Sequence, residues 1–182
     1  ATITEKGATY EVPAVTSISR VVASVRIREL LNNPDGAPVT AAFLVDYDCG
    51  GTYAGQVPVS PGSPATVPNI PTGSVCTITE VAPTPIAGYT WAAVTYAPNT
   101  ATIIEKGVTY EVTAVNSIRR DLGSFNILKV LHAPVGAPAL TGFKVNYSCR
   151  HGSDQMYTGS VTVDPGVSEK VSGIPTFYVC SI

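Results

Sequence analysis

The sequence predicts an all-β chain built as tandem β-sandwiches. Apolar residues recur at every second position in short runs, Gly and Pro turn signals separate the runs, and one segment returns almost verbatim further along the chain. Gly supplies 16 and Pro 15 of the 182 residues, while 45% are hydrophobic and only 13% charged. Such a composition fills cores but keeps interrupting its own elements, which disfavours long helices.

The repeat organises the elements. ATITEKGATYEVPAVTSISR at 1–20 returns as ATIIEKGVTYEVTAVNSIRR at 101–120, changed only at Thr4, Ala8, Pro13, Thr16 and Ser19. At the same offset of 100, Pro34, Gly36, Phe43, Val45, Tyr47 and Cys49 find Pro134, Gly136, Phe143, Val145, Tyr147 and Cys149. After a four-residue insertion near His151 the offset becomes 104, and Pro61-Gly62, Ile70-Pro71 and Cys76-Thr77-Ile78 match Pro165-Gly166, Ile174-Pro175 and Cys180-Ser181-Ile182. A unit of this length is too long for a solenoid turn, so each copy has its own core. The register divides the chain into 1–20, the C-terminal strands of a preceding repeat; 21–120, a complete sandwich; and 121–182, the N-terminal part of the next. A further strand is expected after Ile182, so the chain reads as a window on a longer one, with donation of 1–20 into the open groove of another copy as the alternative.

Within the complete unit, 25–31 is the first strand. Phe43, Val45, Tyr47 and Cys49 then alternate with Leu44, Asp46 and Asp48, and further runs span 56–59, 74–80, 90–96, 101–105 and 109–118. Turn signals at Pro34-Asp35-Gly36, Ser60-Pro61-Gly62, Pro71-Thr72-Gly73, Ala87-Gly88 and Glu105-Lys106-Gly107 punctuate them. About seven short strands in ~100 residues is the pattern of a β-sandwich.

Charge and spacing exclude several classes of function. The formal charge is −2, from 11 basic and 13 acidic residues spread singly, which is no footprint for nucleic acid. No apolar run approaches the ~20 residues of a membrane span. Cys49, Cys76, Cys149 and Cys180 are too widely spaced for zinc knuckles, and with only His132 and His151 to supplement them no metal site is expected. Matched spacing favours one disulfide per unit, Cys49–Cys76 and Cys149–Cys180, in an oxidising location; buried free thiols are the alternative. Cys49 and Cys76 both lie on inward-facing registers, so a bond between them is expected to tie two strands through the core.

The run Cys76-Thr77-Ile78-Thr79-Glu80, followed by Pro83, Pro85 and Gly88-Tyr89, resembles the E-box of Cna-B or SpaA-type prealbumin-like domains of Gram-positive surface proteins. The layout of 123–129, 145–149, 171–175 and the Cys-Thr-Ile-Thr-Glu run is similar to the tandem DUF5979 repeats of actinobacterial surface proteins. The resemblance implies Ig-like or prealbumin-like sandwiches in an extracellular, secreted or cell-wall stalk, adhesin or fibre. It implies no enzymatic activity and no cofactor.

Many Cna-B-type domains carry a Lys–Asn isopeptide bond assisted by a buried Glu. Period-two registers put Glu80 on the face of Cys76 and Ile78, Asn116 with Val112 and Ala114, and Glu29 with Val25 and Ile27. The position that should hold the lysine holds Glu29, so the crosslink is expected to be lost from 21–120. Its second-unit equivalent is Lys129, and Thr16 stands where Asn116 stands in the later copy. Glu29 and Glu80, if both enclosed, repel each other and raise at least one pKa.

Each of these residues has a plainer reading. Glu80 can be a buried carboxylate bonded to backbone amides, and Glu29 can reach solvent from a strand end. Trp91 and the tyrosines are core or strand-packing residues before they are a glycan surface. His132 and His151 are loop histidines without a triad partner. Asp35, Asp46 and Asp48 lack the dense oxygen ligands of a calcium loop, and Asn146-Tyr147-Ser148 is a formal glycosylation sequon. Two hypotheses remain: a structural repeat joined head to tail with its neighbours, as in a stalk or a filament, or a module that binds a surface glycan or host protein through its end loops. The insertion near His151 is the sequence feature that favours the second.

Overall fold

The computed structural model describes residues 2–182, with Ala1 outside them. The first unit contains β1 (Val22–Asn32), β2 (Phe43–Asp48), β3 (Ala54–Val59), β4 (Ala65–Pro71), β5 (Val75–Glu80), β6 (Tyr89–Trp91), β7 (Thr95–Ala97), β8 (Thr100–Thr102) and β9 (Thr109–Arg120). The second contains β10 (Leu122–Leu128), β11 (Phe143–Arg150), β12 (Tyr157–Val163), β13 (Ser168–Pro175) and β14 (Val179–Ser181). The described residues are all-β, as the alternation predicts.

One sheet of the first unit runs β4-β1-β9-β6, with β7 also paired to β9, and the facing sheet runs β3-β2-β5-β8. Val25, Ile27, Val45, Val59, Ile78 and Val112 fill the space between them. Every pairing in this unit is antiparallel except the central one: β1 and β9 are parallel from Ser24↔Thr109 to Asn32↔Ser117. The chain therefore enters the unit at one end and leaves it at the other.

Alternation does not announce β4. Ala65-Thr66-Val67-Pro68-Asn69-Ile70-Pro71 carries two prolines, which an edge strand tolerates because its outer N–H groups need no partner. Its register slips between Ala23 and Val25, and Asn69 takes a left-handed φ of 61° there. The expected run 90–96 divides into β6 and β7, which pair successive stretches of β9. These two departures raise the strand count of the unit, among the described residues, above the expected seven or so.

In the second unit, β10 pairs β13, and β12-β11-β14 form the facing sheet, the order of β1, β4 and β3-β2-β5 in the first. Ile127, Cys149, Val163, Val171 and Ile174 form a smaller core. Phe143, Val145 and Tyr147 are half-buried, and Ile174 is buried.

Residues 2–20 form no strand and are exposed throughout, whereas the near-copy at 101–120 holds β9 and the end of β8. Strands at 1–20 are therefore not found among the described residues. The physical reason is partners: β9 is flanked by β1 on one side and by β6 and β7 on the other, and no strand flanks 2–20.

Candidate functional site

Three polar side chains are buried where the two sheets of the first unit face each other. β1 turns Ala23, Val25, Ile27 and Glu29 inward, and its parallel neighbour β9 turns Val112, Ala114, Asn116 and Ile118 inward. From the opposing sheet, β5 turns Cys76, Ile78 and Glu80 toward them. Glu29 and Asn116 are each 1% exposed and Glu80 9%. Enclosure of Glu29 excludes the strand-end route to solvent.

The Asn116 amide joins the three. Its Nδ2 donates to Glu29 Oε1 at 3.0 Å and to Glu80 Oε1 and Oε2 at 2.7 and 2.8 Å. Glu29 Oε2 and Asn116 Oδ1 have no hydrogen-bond partner among the described residues. Burial pushes the Glu29 carboxyl up to about 7; the Asn116 hydrogen bond opposes this, and the charge of Glu80 adds to it. Glu80 is also raised, again by burial against the Asn116 hydrogen bond. Two carboxyls sharing one amide in a dry core favour holding a proton between them.

Sequence reasoning missed Tyr96, although it closes the cluster. Its hydroxyl accepts the Glu80 backbone N–H at 2.8 Å, and burial raises its pKa. The signal was its place in the 90–96 alternation, but which strand β7 would face was not readable locally.

No amine belongs to this cluster among the described residues. Lys106 is exposed in the turn before β9. Lys129, the repeat equivalent of Glu29, follows β10 with its ammonium 5.0 Å from the centre of the Phe143 ring. The cluster as built can hold and share a proton; it has no nucleophile to join to Asn116.

Cys49 is bonded to Cys76 and Cys149 to Cys180. β2 and β5 are neighbours in one sheet, and Cys149 lies directly opposite Cys180 on β11 and β14. Each disulfide thus braces adjacent strands within a sheet; Cys49 and Cys76 are both buried in the core, and their bond runs along one sheet and does not cross to the facing one. The other flagged residues have local partners. Asp46 accepts from Gln56 Nε2 at 2.8 Å, and Asp48 from the Gly50 N–H at 2.8 Å. Trp91 donates to the Thr84 carbonyl at 3.1 Å and meets Phe43 edge to face at 5.7 Å.

The family of the domain of unknown function DUF5979 matches residues 25–119 and again residues 125–182. No curated protein matches the chain. Among solved structures, the chain is similar to the Bacillus anthracis TIE protein, at 17% identity and a TM-score of 0.49 over 88% of this chain and 27% of that one. It is similar also to a streptococcal ancillary pilin, at 16% identity and 0.37 over 85% and 51%. A pilus-presented adhesin, Cpa, aligns at 13% identity and 0.35 over 53% and 27%. The chain spans from about a quarter to about half the length of these structures. Two successive family segments cover most of its residues, and on that ground the chain belongs to the DUF5979 family.

Proposed function

We propose that the chain is a structural repeat segment of an extracellular stalk or fibre, each sandwich a spacer braced by its own disulfide, in a surface protein of the Cna-B-like kind that the sequence resembles. The threading of the first unit carries the reading. Because β1 and β9 are adjacent and parallel over nine residue pairs, Ser24↔Thr109 to Asn32↔Ser117, tension along the chain loads their hydrogen bonds together in shear. Asp121 alone separates β9 from β10, so a pull passes directly into the next unit. The disulfide lies off this ladder and locks the chain between Cys49 and Cys76, a separation of 27 residues.

Single-molecule stretching of the intact chain tests this. The first unit is expected to resist as one mechanical event, and reduction is expected to lengthen its release by about 90 Å, at ~3.3–3.6 Å per residue for the 27-residue separation. Gradual extension without a peak, or a release that reduction does not change, would overturn the proposal.

One observation favours the binding-module reading. Loops 33–42 and 81–88 enclose an apolar cleft of about 250 Å³ at the trailing end of the first unit, lined by Val39, Phe43, Val81, Pro83, Ile86 and Trp91. Stacking of a sugar face on Trp91 is the contact it would make. Titration of oligosaccharides against Trp91 fluorescence tests it, and an unchanged spectrum across the panel would remove this reading.

A further inference from the structure

We infer that the leading end of each unit is a socket for the trailing end of the unit before it, with a repeated arginine as the knob. Arg120 ends β9, and its guanidinium lies between Tyr89 of its own unit and Tyr178 of the next, 5.0 and 5.4 Å from the ring centres. Its Nη1 donates to the Tyr89 hydroxyl at 2.8 Å, and Nη2 faces Asp154 Oδ2 at 3.8 Å. The backbone beside it is held as well: Asp121 N donates to Gly88 O at 2.9 Å, and Thr176 N donates to Asp121 O at 3.0 Å.

Arg20 is the same residue one repeat earlier. Its Nη1 donates to the Tyr53 hydroxyl, and its guanidinium lies 5.8 Å from the centre of that ring. Tyr53 belongs to the β2–β3 loop, at the leading end of the first unit, and its repeat equivalent Tyr157 packs edge to face on Tyr178 at 5.4 Å. Two arginines one repeat apart therefore reach the same end of the unit that follows each of them.

The second socket carries three additions that tighten it. The insertion near His151 supplies Asp154; Tyr178 stands where the first unit has Ser74, and Phe177 where it has Gly73. Phe177 keeps the glycine's left-handed backbone, with φ 68° against 89° at Gly73. A bulky residue holds that conformation only at a cost. The Phe177 ring lies against Gly88 of the preceding unit, where an added Cβ would meet ring carbon Cε2 at 3.1 Å. A strained turn whose side chain touches the neighbouring unit is built for docking. The insertion, which in the sequence favours a ligand loop, thereby belongs to the junction. The occupant of the first unit's socket is accordingly the trailing end of another such unit, gripped less firmly there because Gly73 and Ser74 offer neither ring.

This inference deepens the head-to-tail reading and rests on it for its biological use, but it is tested on the junction alone. Backbone ¹⁵N relaxation of the intact, oxidised chain should show 21–120 and 121–182 tumbling as one body. Phe177→Gly relieves the strained turn and cannot harm the fold on that account, yet it is expected to separate the two correlation times, as are Tyr178→Ser and Asp154→Ala. Arg120→Ala should separate them most, with the core amides of Val112 and Val163 unshifted. Ser74→Tyr is expected to order residues 17–20 on the first unit, and adding Arg20→Ala to release them. Independent tumbling of the unaltered chain, or joint tumbling that survives Arg120→Ala, would overturn the inference; so would Ser74→Tyr leaving the relaxation of 17–20 unchanged. Joint tumbling together with gradual extension under force would reject the stalk reading and leave the socket standing.

Discussion

Glu29→Gln is the substitution for which the buried cluster makes its clearest demand. The Glu29 carboxyl is 1% exposed and its pKa rises from the ordinary 4.5 to about 7 in the folded chain. A carboxyl that binds its proton more tightly when folded contributes stability below the unfolded value and loses it as pH rises through the folded one. At about 1.4 kcal/mol per pH unit, the interval from 4.5 to about 7 corresponds to roughly 3 kcal/mol lost by pH 8. Glutamine keeps the shape and an oxygen for the Asn116 amide, and it brings an N–H₂ for acceptors such as Asn116 Oδ1, now unpaired. The variant should therefore be about 3 kcal/mol more stable than the parent at pH 8 and close to it at pH 4.5. Chemical denaturation with disulfides intact, followed by Trp91 fluorescence, reads the first unit alone because the chain has one tryptophan. Glu80, raised in the same direction, leaves the variant a smaller slope of the same sign. A parent midpoint that is flat or rises from pH 5 to 8, or a variant no more stable at pH 8, would refute the reasoning.

Glu29→Lys places an amine beside the Asn116 carboxamide and the Glu80 carboxyl. It is expected to form a Lys–Asn amide, with the nitrogen of the carboxamide leaving as ammonia and Glu80 moving the protons. Intact mass should fall by one ammonia, and an unchanged mass in the folded variant would contradict this. Removing both Cys49 and Cys76 is expected to cost the first unit about 3–4 kcal/mol in denaturant, from the loop closed by a 27-residue separation; equal midpoints for the oxidised parent and the variant would show that the brace contributes nothing. Gly55→Ala would set a Cβ 2.7 Å from the Tyr47 hydroxyl on the neighbouring strand. The ring must shift, so a loss of about 1–3 kcal/mol is expected, and a neutral result in thermal melts would show that Tyr47 moves freely.

Alternation along the chain was enough to place β1, β2, β5 and β9 and to turn Glu29, Glu80 and Asn116 inward, because a strand's period of two assigns each side chain a face without reference to its neighbours. The repeat register likewise matched Cys49 to Cys149 and Cys76 to Cys180. Tertiary structure decided what those faces meet. It brought Glu80 from one sheet onto Glu29 and Asn116 of the other, set Tyr96 beside them, and bonded each cysteine pair along a sheet instead of across the core. It also made a strand of the proline-bearing 65–71 by offering it an edge of β1. The near-identical segments 2–20 and 102–120 separate the two contributions most plainly: one lies unpaired and exposed, while the other contains β9, between β1 and the β6–β7 edge. A strand's hydrogen bonds belong to residues far away in sequence, so local pattern prescribes which face is apolar, and only the presence of partner strands makes the segment a strand.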